Sequence, residues 1–318
     1  MATNDNLRTR SKKISRQINI DVQNDKQGNY GSGQSGVHKT QKAPYQIGSF
    51  CSNKIHLSYE IHGSGDKTLM YLPGLLLDAN LNRRLARDLA IQGNKVVLMD
   101  FPGHGSSDKP KSIFEHSMDR YAAHALALLD HLEIDKAVVG GVSLGANVSL
   151  FMASSYPERT VGLVIEMPVL DSAMPDAAAV FLPLLLAARH MRLPYRIVNR
   201  IVQSAPRTPV EALNSFLDAA AIPPDQAEAV LEGIFAGRLF PSVDELSSIK
   251  VPAVVIGHRA DFVHSLDDAQ HLASILPKAR LVRAKSLVEL RAIPNRLTGK
   301  IAQFLEEVGR SSIPASKR

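Results

Sequence analysis

The 318-residue chain has no tryptophan and one cysteine, Cys51. A single thiol excludes an intramolecular disulfide and fits a reducing, cytoplasmic setting. Cys51 stands well before the motifs that carry chemistry, so it reads as a buried or incidental thiol. No stretch approaches the ~20 continuous apolar residues of a membrane span. The longest apolar region, "DAAAVFLPLLLAARH", is broken by Pro183 and ends in charge, which suits a buried or cap helix. No phosphate loop, dinucleotide fingerprint or Cys/His cluster occurs, so no cofactor or metal is expected. His124 and His131 lie seven apart on one amphipathic helix without zinc spacing and are expected on a solvated face.

What is present begins with charge. The net charge of +6 resides mostly in residues 1–45, where eight Lys/Arg face three acids, leaving the remainder near +1. That segment is rich in Asn, Gln, Gly and Ser and poor in large apolar residues, so it cannot offset the entropy of ordering. A disordered basic tail is expected over 1–45, without the apolar core of a secretory signal, and so is a frayed end over 310–318. No specific nucleic-acid partner follows from basicity confined to a tail. Oligomeric state is not legible.

Beyond residue 45 the pattern becomes regular. "NKIHLSYEIHG" alternates apolar and polar residues, as a half-buried edge strand does. "TLMYLPG", "KVVLMD", "AVVGGV", "VGLVIEMP", "VPAVVIGH" and "ARLVRA" are apolar runs that alternate with amphipathic helical stretches. Such alternation predicts an α/β fold, a mostly parallel sheet covered on both faces. The sheet and its helices should occupy 46–169 and 248–309. The interval 170–247 has helical patterns and prolines but no clear strand, and should form a helical cap over the sheet's carboxyl edge, where open α/β sheets bind ligands.

Chemistry is first suggested by "VVGGVSLGANVSL", where a buried strand enters Gly-x-Ser-x-Gly and leaves as a helix. That context suits a nucleophile elbow: Gly141 and Gly145 permit a sharp turn, and Ser143 is held exposed at the start of a helix whose unpaired N–H groups face it. Here the chain resembles the α/β-hydrolase family, over about residues 50–308. "LMYLPGLLLD" is similar to the family's strand and oxyanion loop, with Pro73 where histidine is common. "VVLMDFPGHGSSD" is similar to its Asp-x-Pro-Gly-His-Gly-x-Ser segment, and "VPAVVIGHRADFVH" to the strand that delivers the triad acid, matching Asp261. The resemblance implies a serine hydrolase with nucleophile Ser143, and an oxyanion hole from the N–H groups of Leu75 and Leu144.

The same resemblance exposes a gap. The family's base is a histidine after the last strand, where this chain has Ser286 and Leu287; no histidine follows His271. Without a base, a serine hydroxyl is a poor nucleophile near neutral pH. His264 lies three residues after Asp261 and could reach the pocket, although a supporting or helix-capping role is the first expectation for it. His104 and His258 are expected to be structural. Lys285 and Glu289 flank the vacant position as surface charges that burial could tune. Glu166 ends an apolar strand where some family members, haloalkane dehalogenases among them, carry their acid, so Asp261 and Glu166 are both candidate acids.

Two functions follow. One is esterase-like hydrolysis of a small lipophilic ester or thioester through Ser143 with an atypical base. The other is a binder of a small apolar ligand on a hydrolase scaffold without turnover, similar to the plant gibberellin receptors.

Overall fold

A computed structural model describes residues 45–259, 261, 263–286 and 289–311. The expected basic tail, apart from Tyr45, and the segment beyond Ser311 lie outside the described residues, as does Leu287. Eight strands form one sheet: β1 (Tyr45–Ser52), β2 (Ile55–His62), β3 (Thr68–Leu72), β4 (Lys95–Met99), β5 (Ala137–Val142), β6 (Thr160–Glu166), β7 (Ala253–Gly257) and β8 (Ala279–Arg283). Their order is β1-β2-β4-β3-β5-β6-β7-β8. The β1–β2 and β2–β4 pairs are antiparallel and all the others parallel.

Successive residues of a strand face opposite sides, so a fully apolar strand feeds two cores. Leu69 and Tyr71 of β3, Val96 and Leu98 of β4, and Val254 and Ile256 of β7 pack on one side with Leu297, Ile301 and Phe304. Met70, Leu72, Val97, Met99, Val255 and Leu163 pack on the other with Tyr121, Leu128, Leu150 and Leu272. Helices α1 (Arg83–Ile91) and α11 (Asn295–Ser311) cover the first side. Helices α2 (Met118–His131), α3 (Leu144–Ser155) and α9 (Leu266–Ile275) cover the second, and a short α10 (Glu289–Ala292) precedes α11.

Between β6 and β7 the chain forms α4 (Met174–His190), α5 (Arg192–Gln203), α6 (Glu211–Ala220), α7 (Pro224–Ala236) and α8 (Val243–Ser248). Parallel strands put the ends of β5, β6 and β7 side by side, which brings Ser143, Glu166 and the loop after Gly257 to one edge.

Three expectations are corrected. The edge strand is β1, because residues 45–52 pair with β2 along its whole length. His124 is buried, with its Nδ1 2.9 Å from Ser52 Oγ, because β1 covers that face of α2; His131 stays exposed and stacks on Phe50. The final helix continues to Ser311, past the expected fraying point.

Candidate active site

The elbow begins with β5, whose partner strands fix its end. Ser143 N–H donates to the Glu166 carbonyl oxygen at 2.9 Å, and Ser143 adopts φ 55° and ψ −115°. A non-glycine residue at positive φ is held there only by its surroundings. The flanking glycines supply them: a Cβ on Gly145 would lie 2.3 Å from the Leu72 carbonyl oxygen, and one on Gly141 2.5 Å from the Gly145 backbone. The sharp turn therefore exists because two side chains are missing.

The loop after β7 curls back on itself. Asp261 Oδ1 accepts the backbone N–H of Val263 at 2.9 Å and of His264 at 3.1 Å, a side chain acting as the turn's acceptor. That curl swings the imidazole over the other oxygen of the same carboxylate. His264 Nδ1 lies 2.8 Å from Asp261 Oδ2, and its Nε2 lies 2.8 Å from Ser143 Oγ. Burial pushes the Asp261 carboxyl up, but its hydrogen bond to His264 and the two amides outweigh this and lower it overall. An ionised Asp261 accepts from Nδ1–H, leaving Nε2 with a lone pair toward the serine hydroxyl. A hydroxyl, an imidazole and a carboxylate in that sequence can shuttle one proton from Oγ and back.

Leu75 follows β3 in a tight turn, closed by Leu77 N–H on the Gly74 carbonyl at 3.1 Å, with Leu76 at φ 62°. Leu75 and Leu144 flank Ser143 in the lining of a small recess of about 40 Å³. Leu144 opens α3, so its amide is among those a helix leaves unpaired. The main cavity beside Ser143 has a volume of about 1050 Å³; its walls include Leu76, Phe181, Leu184, Val198 and Phe216.

The α/β hydrolase fold profile matches residues 67–189. A 2-hydroxy-6-oxononadienedioate/2-hydroxy-6-oxononatrienedioate hydrolase of Paraburkholderia phymatum is 30% identical over 238 residues, which are 71% of this chain and 82% of that protein. This chain belongs to the α/β hydrolase fold family. Among solved structures, an enol-lactonase from Burkholderia xenovorans matches at TM-score 0.66 and 21% identity, over 81% of this chain and all of that one. A meta-cleavage product hydrolase from Pseudomonas fluorescens matches at TM-score 0.65 and 20% identity, over 82% of this chain and 97% of that one. Both likenesses are of fold; the hydrolase activity of the chain follows from its sequence relatives.

Glu166 of the hydrolase is corrected as a candidate acid. It is fully buried, and its oxygens are occupied: Tyr71 Oη donates at 2.7 Å, His258 Nε2 lies at 3.0 Å, and Arg291 Nη1 donates to both oxygens, 2.6 Å from Oε2. Burial would raise its pKa, but the Arg291 charge and His258 hold it at about 2. Arg291 also donates to Asn82 Oδ1 at 2.9 Å. Glu166 thus anchors a buried cluster behind the elbow and does not orient His264. Tyr71 and Arg291 were not legible as its partners, being 95 and 125 residues away in the chain.

Three of the other candidates of the hydrolase, His258, His104 and Glu289, are engaged elsewhere. His258 bridges Glu166 and the Ser286 carbonyl oxygen, 2.9 Å from its Nδ1. His104 is buried against the Pro102 carbonyl, and burial pulls its pKa down to about 3. Glu289 is bound by Arg296 at 2.7 Å, which holds its carboxyl below the ordinary value, and it also accepts the Lys285 amide. His264 is therefore corrected from a supporting residue to the one beside the serine. A signal existed in the sequence: with no histidine after His271, a D-x-x-H step beside the acid was the nearest alternative source.

Proposed function

We propose that the protein is a serine hydrolase in which Ser143 is the nucleophile, His264 the general base and Asp261 the acid that orients it. One observation carries the proposal: the imidazole of His264 lies 2.8 Å from both Ser143 Oγ and Asp261 Oδ2, on opposite nitrogens. Acid and base then come from one tight loop. Ser143 Oγ attacks the substrate carbonyl as its proton passes to Nε2, and the tetrahedral oxygen takes the N–H groups of Leu75 and Leu144. The imidazolium returns that proton to the leaving group, and water releases the acyl group by the same steps in reverse. The binder without turnover rested on the vacancy at Leu287, and a histidine within reach of Ser143 removes that reason.

The substrate we propose is a neutral, lipophilic ester, thioester or lactone. The cavity is roomy and walled by Leu, Val, Phe, Ala and Met side chains. Names among the relatives include dioate hydrolases, and a dianion would require cationic partners. Among the described residues that line the cavity, Arg291 alone is a lysine or arginine, and Glu166 and Asn82 already engage it.

Labelling with a fluorophosphonate probe tests the mechanism. The parent should label, and Ser143→Ala and His264→Ala should not. Full ester turnover by Ser143→Ala would refute the proposal.

A further inference from the structure

The cap carries a surface that the reaction does not use. Of the 17 large apolar side chains exposed among the described residues, 11 fall between Val180 and Phe216. Some of these line the cavity, but Leu182, Leu186, Leu193, Ile197 and Ile201 do not, and they are 47–71% exposed. They recur every four residues along each of the adjacent helices α4 and α5, so each set forms a stripe on one face.

Helix α5 is divided into three faces. Pro194, Tyr195, Val198 and Asn199 line the cavity; Leu193, Ile197 and Ile201 form the exposed apolar stripe; Arg192, Arg196 and Arg200 form a basic stripe beside it. Residues 177–210 contain five arginines, one histidine and no acid. Arg189 and Arg192 are tied to Glu228 and Glu232 on α7, and Arg207 to Asp218. Arg196 and Arg200 are exposed and hold no ion pair among the described residues. Apolar side chains flanked by unpaired arginines suit a helix lying in a bilayer interface. The stretch Asp171–His190 is apolar and long enough to cross a membrane. One of its faces walls the cavity, however, which suits lying on a bilayer and not crossing it.

We propose that the outer face of α4 and α5 docks the protein on an anionic phospholipid surface. The charge complementarity of Arg196 and Arg200 selects a lipid headgroup layer over a second copy, which would bring like charges together. Docking sets one helix thickness between the lipid and the cavity, a short path for a lipophilic substrate. The second part rests on the hydrolase mechanism proposed above; the docking does not.

The test is cosedimentation of the full chain with vesicles of phosphatidylcholine alone and with phosphatidylglycerol added, for the parent and for Ser143→Ala, so that binding is read without turnover. Both should bind the anionic vesicles and neither the neutral ones. Arg196→Ala/Arg200→Ala should bind roughly twenty-fivefold more weakly, about fivefold per arginine. Ile197→Glu and the milder Ile197→Ser should also bind more weakly, with turnover of a soluble short-chain ester unchanged. No binding by the parent would overturn the proposal. Equal binding by the arginine variant would do the same, assigning the affinity to the basic N-terminal segment. A dimer that Ile197→Glu converts to monomer would assign the face to a second copy and overturn it as well.

Discussion

Asp261 follows β7 and Glu166 ends the neighbouring β6, on the same edge of one sheet, yet their surroundings are opposite. Glu166 is sealed, with Tyr71, His258 and Arg291 filling its oxygens. Asp261 also has a well-buried side chain, but its partner His264 is partly open and turned toward Ser143 and the cavity. A carboxylate whose partners are all internal stabilises a fold; one whose partner faces a cavity can act on what enters it. The difference lies in the neighbours, since burial and a lowered pKa are common to both.

The comparison breaks most sharply on rate. His264→Ala should lower kcat by about 10⁴-fold or more, and Asp261→Asn by about 10³–10⁴-fold, both with thermal stability little changed. Steady-state ester hydrolysis beside a melting curve checks this; if activity survives in His264→Ala, the two carboxylates do not differ as argued. Glu166→Gln should do the reverse. It leaves Arg291 buried beside a neutral amide and should cost about 3–5 kcal/mol of stability in denaturant titration, while the folded fraction keeps turning over.

Acid sharpens the contrast. The Glu166 carboxyl is depressed from 4.5 to about 2, so its contribution is complete above the unfolded value and is lost as pH falls toward 2. On the order of 3 kcal/mol should disappear across that window, and the parent's melting temperature should fall more steeply there than that of Glu166→Gln. Asp100 has the opposite sign: burial lifts it to about 6, so its ionisation destabilises the fold as pH rises from about 4 to 6. Asp100→Asn should flatten that limb of the stability profile. The smallest effect is expected at Leu287. If His264 already supplies the base, Leu287→His should leave kcat/KM within about twofold; a gain of tenfold or more would show that the base is still missing.

Much of the fold was legible because it is written in local pattern. Strands that are apolar at every position, helices with one apolar face, and small residues around Ser143 each reflect constraints spanning a few residues. The β1 strand escaped because "YQIGSFCS" is polar and exposed over much of its length and abuts the basic tail. His124 escaped for the same reason, since it is β1 that buries it. In the site, Ser143, Gly141, Gly145 and Asp261 were recognisable, whereas the weight given to His264 and Glu166 was reversed.

The sequence by itself determined the α/β fold, the Gly-x-Ser-x-Gly turn and the place of Asp261 after a strand, because each depends on spacing along a strand or turn. Only the tertiary structure decided which carboxylate meets His264. Glu166 became structural because α10, 125 residues further on, delivers Arg291 to it. His264 came to Ser143, 121 residues away, because the Asp261 side chain curls its own loop while parallel pairing sets β5, β6 and β7 abreast. Contacts across such distances leave no periodicity in the chain; packing alone brings them together.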